Sequence, residues 1–472
     1  MQYEPYLTIA GEKCSGEAAP IKVVDPANGE VFAVCPGASF SQLNQAVDAA
    51  GRAFQKWKRS SDQDVKALLH LIAGRIEAHT DELAEIIVRE QGKPLAMAQL
   101  EVGAAVGWTR YTAELELPVK VIEDSDTRLA ELHRKPLGVV GSITPWNWPL
   151  MIAVWHIMPA LRSFNTVVIK PASLTPLNTL KLVEIINEVL PAGVVNCVTG
   201  DAEIGSAMSS HPDIAKLVFT GSTPTGQSIM RNAAGNLKRL TLELGGNDAG
   251  IVLEDADIDQ IAPAIFQGAF LNMGQTCAAL KRLYVHDSMY DALVQRLVEL
   301  AQQQVLGSGL DSSVTFGPVQ NKKQLEFVSE LVADAKAQGA NILCGGEPLP
   351  REGYFYPPTI VAEVSDGTRL VDEEQFGPVL PVIRYSSVDE VIQRANDNVN
   401  GLGGSVWGRD LEQARKVAQQ LECGTVWINN HAEVLPHCPF GGCKMSGIGV
   451  EFGEEGLLEY TTAQLVSVNR IG

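Results

Sequence analysis

Val139-Val140-Gly141-Ser142-Ile143-Thr144-Pro145-Trp146-Asn147 is the stretch whose reading decides the fold. A short β-branched run breaks into a loop stiffened by proline, and residues 149–163 then carry helix-like apolar spacing. The unit recurs. Strand-like runs at 166–169, 194–198, 216–219 and 240–244 alternate with helix-like stretches at 175–190, 201–209 and 223–234. Such βαβ alternation predicts a doubly wound parallel sheet, a candidate for nucleotide binding at the carboxyl ends of its strands.

Working outward, a second α/β series follows, with strands expected at 249–253, 282–286, 341–344, 379–384 and 425–429 and a helix at 288–304. The boundary between the two units is placed near Gly245-Gly246. Upstream, residues 52–117 are rich in helix formers, punctuated by Gly92-Lys93-Pro94, and read as a helical lead-in. Around Asp124-Ser125-Asp126 a turn separates two short strands, so 115–135 reads as a projecting hairpin. The tail at 461–468 alternates apolar and polar residues, as an exposed strand with an open edge does.

The 472 residues, 45% hydrophobic and 20% charged, fit about two large globular domains rather than one small module or a disordered chain. Lys plus Arg number 37 against 56 Asp plus Glu, a net charge of −19, which disfavours nucleic acid and anionic membrane as partners. The N-terminus carries no basic-then-apolar leader, and no window approaches a membrane span. Eight scattered cysteines without a C-x-x-C pair indicate neither a disulfide framework nor a metal site, so a reduced, cytoplasmic protein without metal is expected.

Five features could carry chemistry. Cys277 follows the turn-forming Gly274-Gln275-Thr276, Glu243 ends a predicted strand just before Leu244-Gly245-Gly246, and Asn147 offers an amide suited to holding an oxyanion. Thr220-Gly221-Ser222-Thr223-Pro224-Thr225-Gly226 runs from a strand into a helix and could hold a phosphate on its N–H groups. Lys170-Pro171-Ala172-Ser173 ends another strand. Taken singly, each also has a plain structural reading: a buried thiol, a solvated carboxylate, a capping turn, a solubilising lysine, indoles in the core. Together they converge on the C-terminal edge of one sheet.

At this point the chain resembles the aldehyde dehydrogenase superfamily, of the NAD(P)-dependent, non-acylating kind. The resemblance rests on Thr144-Pro145-Trp146-Asn147, Lys170-Pro171-Ala172, Phe219-Thr220-Gly221-Ser222, Leu242-Glu243-Leu244-Gly245-Gly246, Gly274-Gln275-Thr276-Cys277, Glu373-Glu374-Gln375-Phe376-Gly377-Pro378 and Pro439-Phe440-Gly441-Gly442, in the family's order. It implies an α/β fold with a dinucleotide-binding domain (1–114 and 136–245), a second α/β catalytic domain (246–454) and a small β oligomerisation arm (115–135 and 455–472). It implies Cys277 as nucleophile, Glu243 as general base and Asn147 as oxyanion donor. It implies a cofactor held by Ile143, Thr144, Trp146, Lys170, Ser173, Gly200, Gly221, Ser222, Gly226, Leu244, Glu374 and Phe376. The substrate tunnel is expected from Trp148, Met151, Trp155, Leu271, Thr276, Leu435 and Phe440, with Val434 beside Leu435. A homodimer or homotetramer follows from the arm.

Departures from the family pattern refine the expectation. Ser173 stands where NAD-preferring relatives carry Glu, so NADP is expected to be tolerated alone or beside NAD. His156 replaces a Lys that relatives link to a proton path through a Glu matched here by Glu451; its plain reading is a helix-face histidine with no role. Asn247 also replaces a common Lys. Trp155 stands where members specific for succinate semialdehyde carry Arg, so an uncharged aliphatic or aryl aldehyde is expected first. Amino- or betaine-aldehyde oxidation is second, with Leu271 in place of an aromatic residue. A CoA-acylating enzyme is disfavoured by Glu243, and a catalytically silent binding protein by the joint presence of Cys277, Glu243 and Asn147.

Overall fold

The structure is a computed structural model that describes residues 3–470. Residues 1 and 2, and 471 and 472 at the end of the expected arm, lie outside the described residues. The sheet anticipated from the opening stretch is present. Val195–Cys197, Thr166–Lys170, Val139–Ile143, Ile214–Thr220 and Arg239–Glu243 lie side by side in that order, all parallel. The chain winds outward from Val139–Ile143 in one direction and from Ile214–Thr220 in the other. These two neighbours therefore form the topological switch point, where a crevice opens beyond their carboxyl ends. Helices Pro149–Arg162, Leu177–Asn187, Ala202–Ser210 and Thr223–Ala233 make the crossovers, within a few residues of their predicted bounds.

The edges of this sheet were not anticipated. Leu7–Ile9 and Glu12–Cys14 extend one side antiparallel, and Gly447–Ile448 pairs antiparallel with Arg239–Glu243 on the other. The chain thus returns from the second unit to lie beside Glu243, so the expected 246–454 segment is not confined to the second sheet. That second sheet runs Asn341–Cys344, Thr359–Ala362, Val379–Tyr385, Leu280–His286, Asp248–Val252, Gly403–Trp407 and Thr425–Ile428, parallel except at its first, antiparallel edge.

The lead-in consists of four helices, Phe40–Trp57, Asp62–Ala78, Thr80–Gln91 and Leu95–Glu114, beginning earlier than position 52. Ser39 and Gln42 form a reciprocal capping box at the first, and Gly92, with φ +97°, ends the third in the left-handed conformation. Thr461–Asn469 pairs antiparallel with Arg128–Pro136 along its whole length, and Lys120–Asp124 completes a three-stranded sheet that exposes Val121, Ile122, Leu465 and Val468. The open-edged tail therefore finds a partner within its own chain.

Candidate active site

Two cavities meet at Cys277. One is an open cleft of about 400 Å³ at the switch point, lined by Thr144, Trp146, Asn147, Gly221, Ser222, Leu244, Glu374 and Phe376 along with Cys277. The other, about 190 Å³, is a tunnel of indoles and aliphatic side chains that includes Trp148, Met151, Trp155, Leu271, Thr276 and Phe440 and also ends on Cys277. A thiol shared by a cofactor-sized cleft and an apolar tunnel can meet a substrate from one side and an electron acceptor from the other.

The Cys277 turn is built under constraint. Asn272 and Met273 both adopt positive φ, at 51° and 56°, and lead into Gly274 at 69°. A Cβ on Gly274 would stand 2.2 Å from the Gly377 carbonyl oxygen, so only glycine fits there. Below the turn, buried Lys281 donates from Nζ to the carbonyls of Gly274 at 2.6 Å and Gly377 at 3.0 Å. Asn147 Nδ2 donates to the Gln275 carbonyl at 3.0 Å, and Trp148 Nε1 to Thr276 Oγ1 at 3.0 Å. The loop after Val139–Ile143 is thereby stitched to the turn that presents the thiol.

Electrostatics in the site are dominated by burial of acids. Burial, with Glu243, Glu374 and Asp248 nearby, pushes the Cys277 thiol well above its ordinary value, partly offset by the Ala278 N–H. Burial and the neighbouring Glu451 likewise raise Glu243 well above the usual carboxylate range. Both Glu243 carboxyl oxygens are buried without a hydrogen-bond partner, which fits a group that holds a proton or moves. Glu243 does not line either cavity. A Cβ on Gly441 would lie 3.2 Å from Glu243 Oε1, which places the carboxyl against that glycine.

His156 is fully buried rather than on an open helix face. Its Nε2 lies 3.2 Å from Glu451 Oε1 and 3.1 Å from Thr220 Oγ1, and its Nδ1 lies 2.8 Å from Ser142 Oγ. Asn247, the other departure, donates from Nδ2 to the Val371 carbonyl at 2.8 Å, a structural bond.

The cleft suits a dinucleotide. Helix Thr223–Ala233 begins at Ser222 with no side-chain cap, so its first N–H groups are free to face a phosphate. A Cβ on Gly245 would stand 2.3 Å from Glu374 Oε2, and one on Gly221 would strike the Phe219 ring, so both glycines keep the backbone close to its neighbours. Glu374 Oε1 accepts from Gly246 N at 3.0 Å, and burial lifts its carboxyl from 4.5 to about 7.

Of the other expected cofactor residues, Ile143, Lys170, Ser173, Gly200 and Gly226 do not line this cleft. Ile143 and Lys170 sit abreast at the sheet edge beside it. Lys170 is buried, its Nζ donating to the Pro171 carbonyl at 3.1 Å. Leu435 is absent from the tunnel wall; Val434, one residue earlier, takes the place. Leu100, Ala104 and Trp108 were not anticipated. They fall at four-residue intervals on Leu95–Glu114 and present one face to the tunnel, a periodicity that reads equally as core. Among the described residues no cluster of side chains could hold a metal, and no helix is long and apolar enough to cross a membrane.

The fold and site define a protein in which a cysteine is set between a dinucleotide-type cleft and an apolar tunnel. Residues 13–466 match the model of the aldehyde dehydrogenase family, and the chain belongs to that family of oxidoreductases. It is 41% identical to phenylacetaldehyde dehydrogenase of Pseudomonas fluorescens, covering 94% of this chain and 91% of that one. An NAD+ complex of aldehyde dehydrogenase from Bacillus cereus superposes with a TM-score of 0.97 at 38% identity, over 99% of this chain and 97% of that one. A betaine aldehyde dehydrogenase of Staphylococcus aureus in complex with NAD+ gives 0.95 at 33% identity, over 99% and 98%.

Proposed function

We propose that the protein oxidises an uncharged, medium-sized aliphatic or aryl aldehyde to its carboxylic acid. The carrying observation is the tunnel that ends on Cys277: its lining holds three indoles, of Trp108, Trp148 and Trp155, and no charged side chain. A distal carboxylate on the substrate would enter without an ionic partner, at a cost of several kcal/mol, and an ammonium would meet indole faces but with Leu271 where a further ring would complete the cage. The 41%-identical relative named for phenylacetaldehyde supports an aryl substrate.

In this reading the Cys277 sulfur attacks the aldehyde carbon as thiolate, and the carbonyl oxygen becomes an oxyanion facing Asn147 Nδ2. One amide hydrogen of Asn147 is committed to Gln275 and the other is free to donate. Gly221, Ser222, Glu374 and Phe376 would hold the dinucleotide, which would supply the hydride acceptor when bound. Glu243 then turns from Gly441 toward the Cys277 thioester and takes a proton from water, which releases the acid and returns Cys277 as the thiolate that began the cycle. Burial, and after it Glu451, raise the basicity of Glu243 above that of an ordinary carboxylate, which suits it to accepting that proton. Glu451, whose charge acts on Glu243, lies 3.2 Å from buried His156, and this contact supports the reading that the pair relays the proton onward.

Ser173 brings no carboxylate to the adenosine side, so NADP is used as well as NAD. The exposed apolar three-stranded sheet joins a homodimer or homotetramer, and the location is cytoplasmic. The test is a panel of aryl, aliphatic, trimethylammonium and carboxylated aldehydes assayed with both cofactors, with and without CoA. The expected result is free acid, highest kcat/KM for aryl or aliphatic members, and NADP within about tenfold of NAD, a difference of about 1.4 kcal/mol. Preference for a charged aldehyde, acyl-CoA as product, or strict NAD use each overturns its part of the reading.

A further inference from the structure

Lys93 and Glu101 form an ion pair buried completely between the helical lead-in and the active-site loop, with Nζ 2.5 Å from Glu101 Oε2. Burying two charges is costly, and such a pair stabilises only when its remaining donors and acceptors are satisfied. Here they are satisfied by the loop that carries Asn147. Lys93 Nζ donates to the Asn147 carbonyl at 3.0 Å and lies 3.6 Å from the centroid of the Trp148 ring. Glu101 Oε1 accepts from Leu150 N at 3.0 Å and Met151 N at 3.1 Å. Helix Pro149–Arg162 has no side-chain cap of its own, so Glu101 acts as its anion at the N-terminus.

We propose that the Lys93–Glu101 pair is a positioning element for the oxyanion hole, fixing the Asn147 amide and the Trp148 indole over Cys277. The two anchors reach the nucleophile by separate routes. From Asn147, Nδ2 continues to the Gln275 carbonyl; from Trp148, Nε1 continues to Thr276 Oγ1. Asn272 Nδ2 also holds the Asn147 carbonyl, at 2.9 Å, so that oxygen is gripped from both sides. Loss of the ammonium frees one side of the loop and lets the amide drift. A misplacement of about 1 Å at a reacting group can cost about 10²-fold in rate.

This inference rests on the reading of Asn147 as the oxyanion donor, and the experiment separates the two. Lys93→Met, Asn147→Ala and the double variant are compared in kcat, in cofactor affinity and in the rate at which iodoacetamide alkylates Cys277. Alkylation displaces iodide and forms no oxyanion, so it reports the thiol without the donor. Lys93→Met is expected to lower kcat about 10- to 100-fold, with cofactor affinity and alkylation unchanged. In the Asn147→Ala background the same change is expected to cost less than about threefold, because the two act as one unit.

Additive losses overturn the proposal, as does alkylation or cofactor affinity falling in step with kcat, which marks a general structural role. If Asn147→Ala alone leaves kcat unaltered, the donor assignment itself is wrong and the clamp has nothing to position. Glu101→Gln is run through the same cycle. It retains an oxygen for Leu150 and Met151 and nearly the same volume, so it reports the pair even where Lys93→Met does not fold.

Discussion

Replacing Asn147 with Ala removes a buried amide, 2% exposed, that the structure holds between Cys277 and the first sheet. Two consequences can be sized separately. The oxyanion loses a preorganised donor, worth about 10²–10³ in kcat, or about 3–4 kcal/mol of transition-state stabilisation. The Gln275 carbonyl loses its 3.0 Å donor and keeps only the Asn272 amide at 3.4 Å, which costs about 1–2 kcal/mol of folding stability. Stopped-flow measurement of the first turnover isolates the chemical step, and thermal unfolding gives the second term. The expected outcome is a slow burst of reduced cofactor in a folded protein whose KM for the dinucleotide is unchanged. A burst within about tenfold of the parent would refute the donor role, since that is below the smallest loss seen for such a donor.

Further outcomes follow from the other residues. Glu374 carries its carboxyl from 4.5 to about 7; because the folded value is the higher, its contribution to stability is present below 4.5 and is lost as pH rises through 7. Cofactor affinity runs the opposite way, rising about tenfold from pH 6 to pH 8 as the carboxylate forms, and titrations of Glu374→Gln should show neither trend. Glu451→Gln removes a charge that raises Glu243, so the acidic limb of the kcat–pH profile should move to lower pH; a limb that stays fixed contradicts the coupling. Ala104→Trp fills part of the 190 Å³ tunnel and should depress kcat/KM for aryl aldehydes more than about tenfold while sparing acetaldehyde, and equal losses would place the substrate elsewhere.

How far the sequence alone reaches is clearest residue by residue. The central strands Val139–Ile143 and Thr166–Lys170 were legible because both are buried on both faces and read as apolar runs rich in β-branched residues, and the helix-like stretches between the other runs gave the rest of the parallel order. Gly403–Trp407 was not. It begins with two glycines, of low β propensity, and a Cβ at Gly403 would stand 2.3 Å from Asp248 Oδ2. Tertiary proximity, invisible locally, selects glycine there. Thr359–Ala362 lies after a proline-rich loop and is only four residues long, too short for its period to speak.

In the site, the candidates Cys277, Asn147 and Glu243 were legible because they sit on turns and strand ends that sequence marks, whereas Glu374 came only from the family resemblance. The tunnel wall from Leu95–Glu114 and the Lys93–Glu101 pair depend on packing between segments about fifty residues apart, and helical periodicity alone cannot tell a tunnel face from a core face. The same holds for His156: its helix was readable, whereas its contact with Glu451 exists only because Gly447–Ile448 carries the chain back to the first sheet.

The central claim is that one thiol, that of Cys277, carries the acyl group and that Glu243 directs its hydrolysis. The direct measurement is a mass analysis of Glu243→Gln quenched after mixing with cofactor and an aryl aldehyde. The account predicts a near-stoichiometric burst of reduced cofactor, turnover slowed by about 10²–10⁴, and an acyl adduct confined to the peptide bearing Cys277. An unmodified Cys277 peptide during the burst, or full-speed turnover without Glu243, would contradict it.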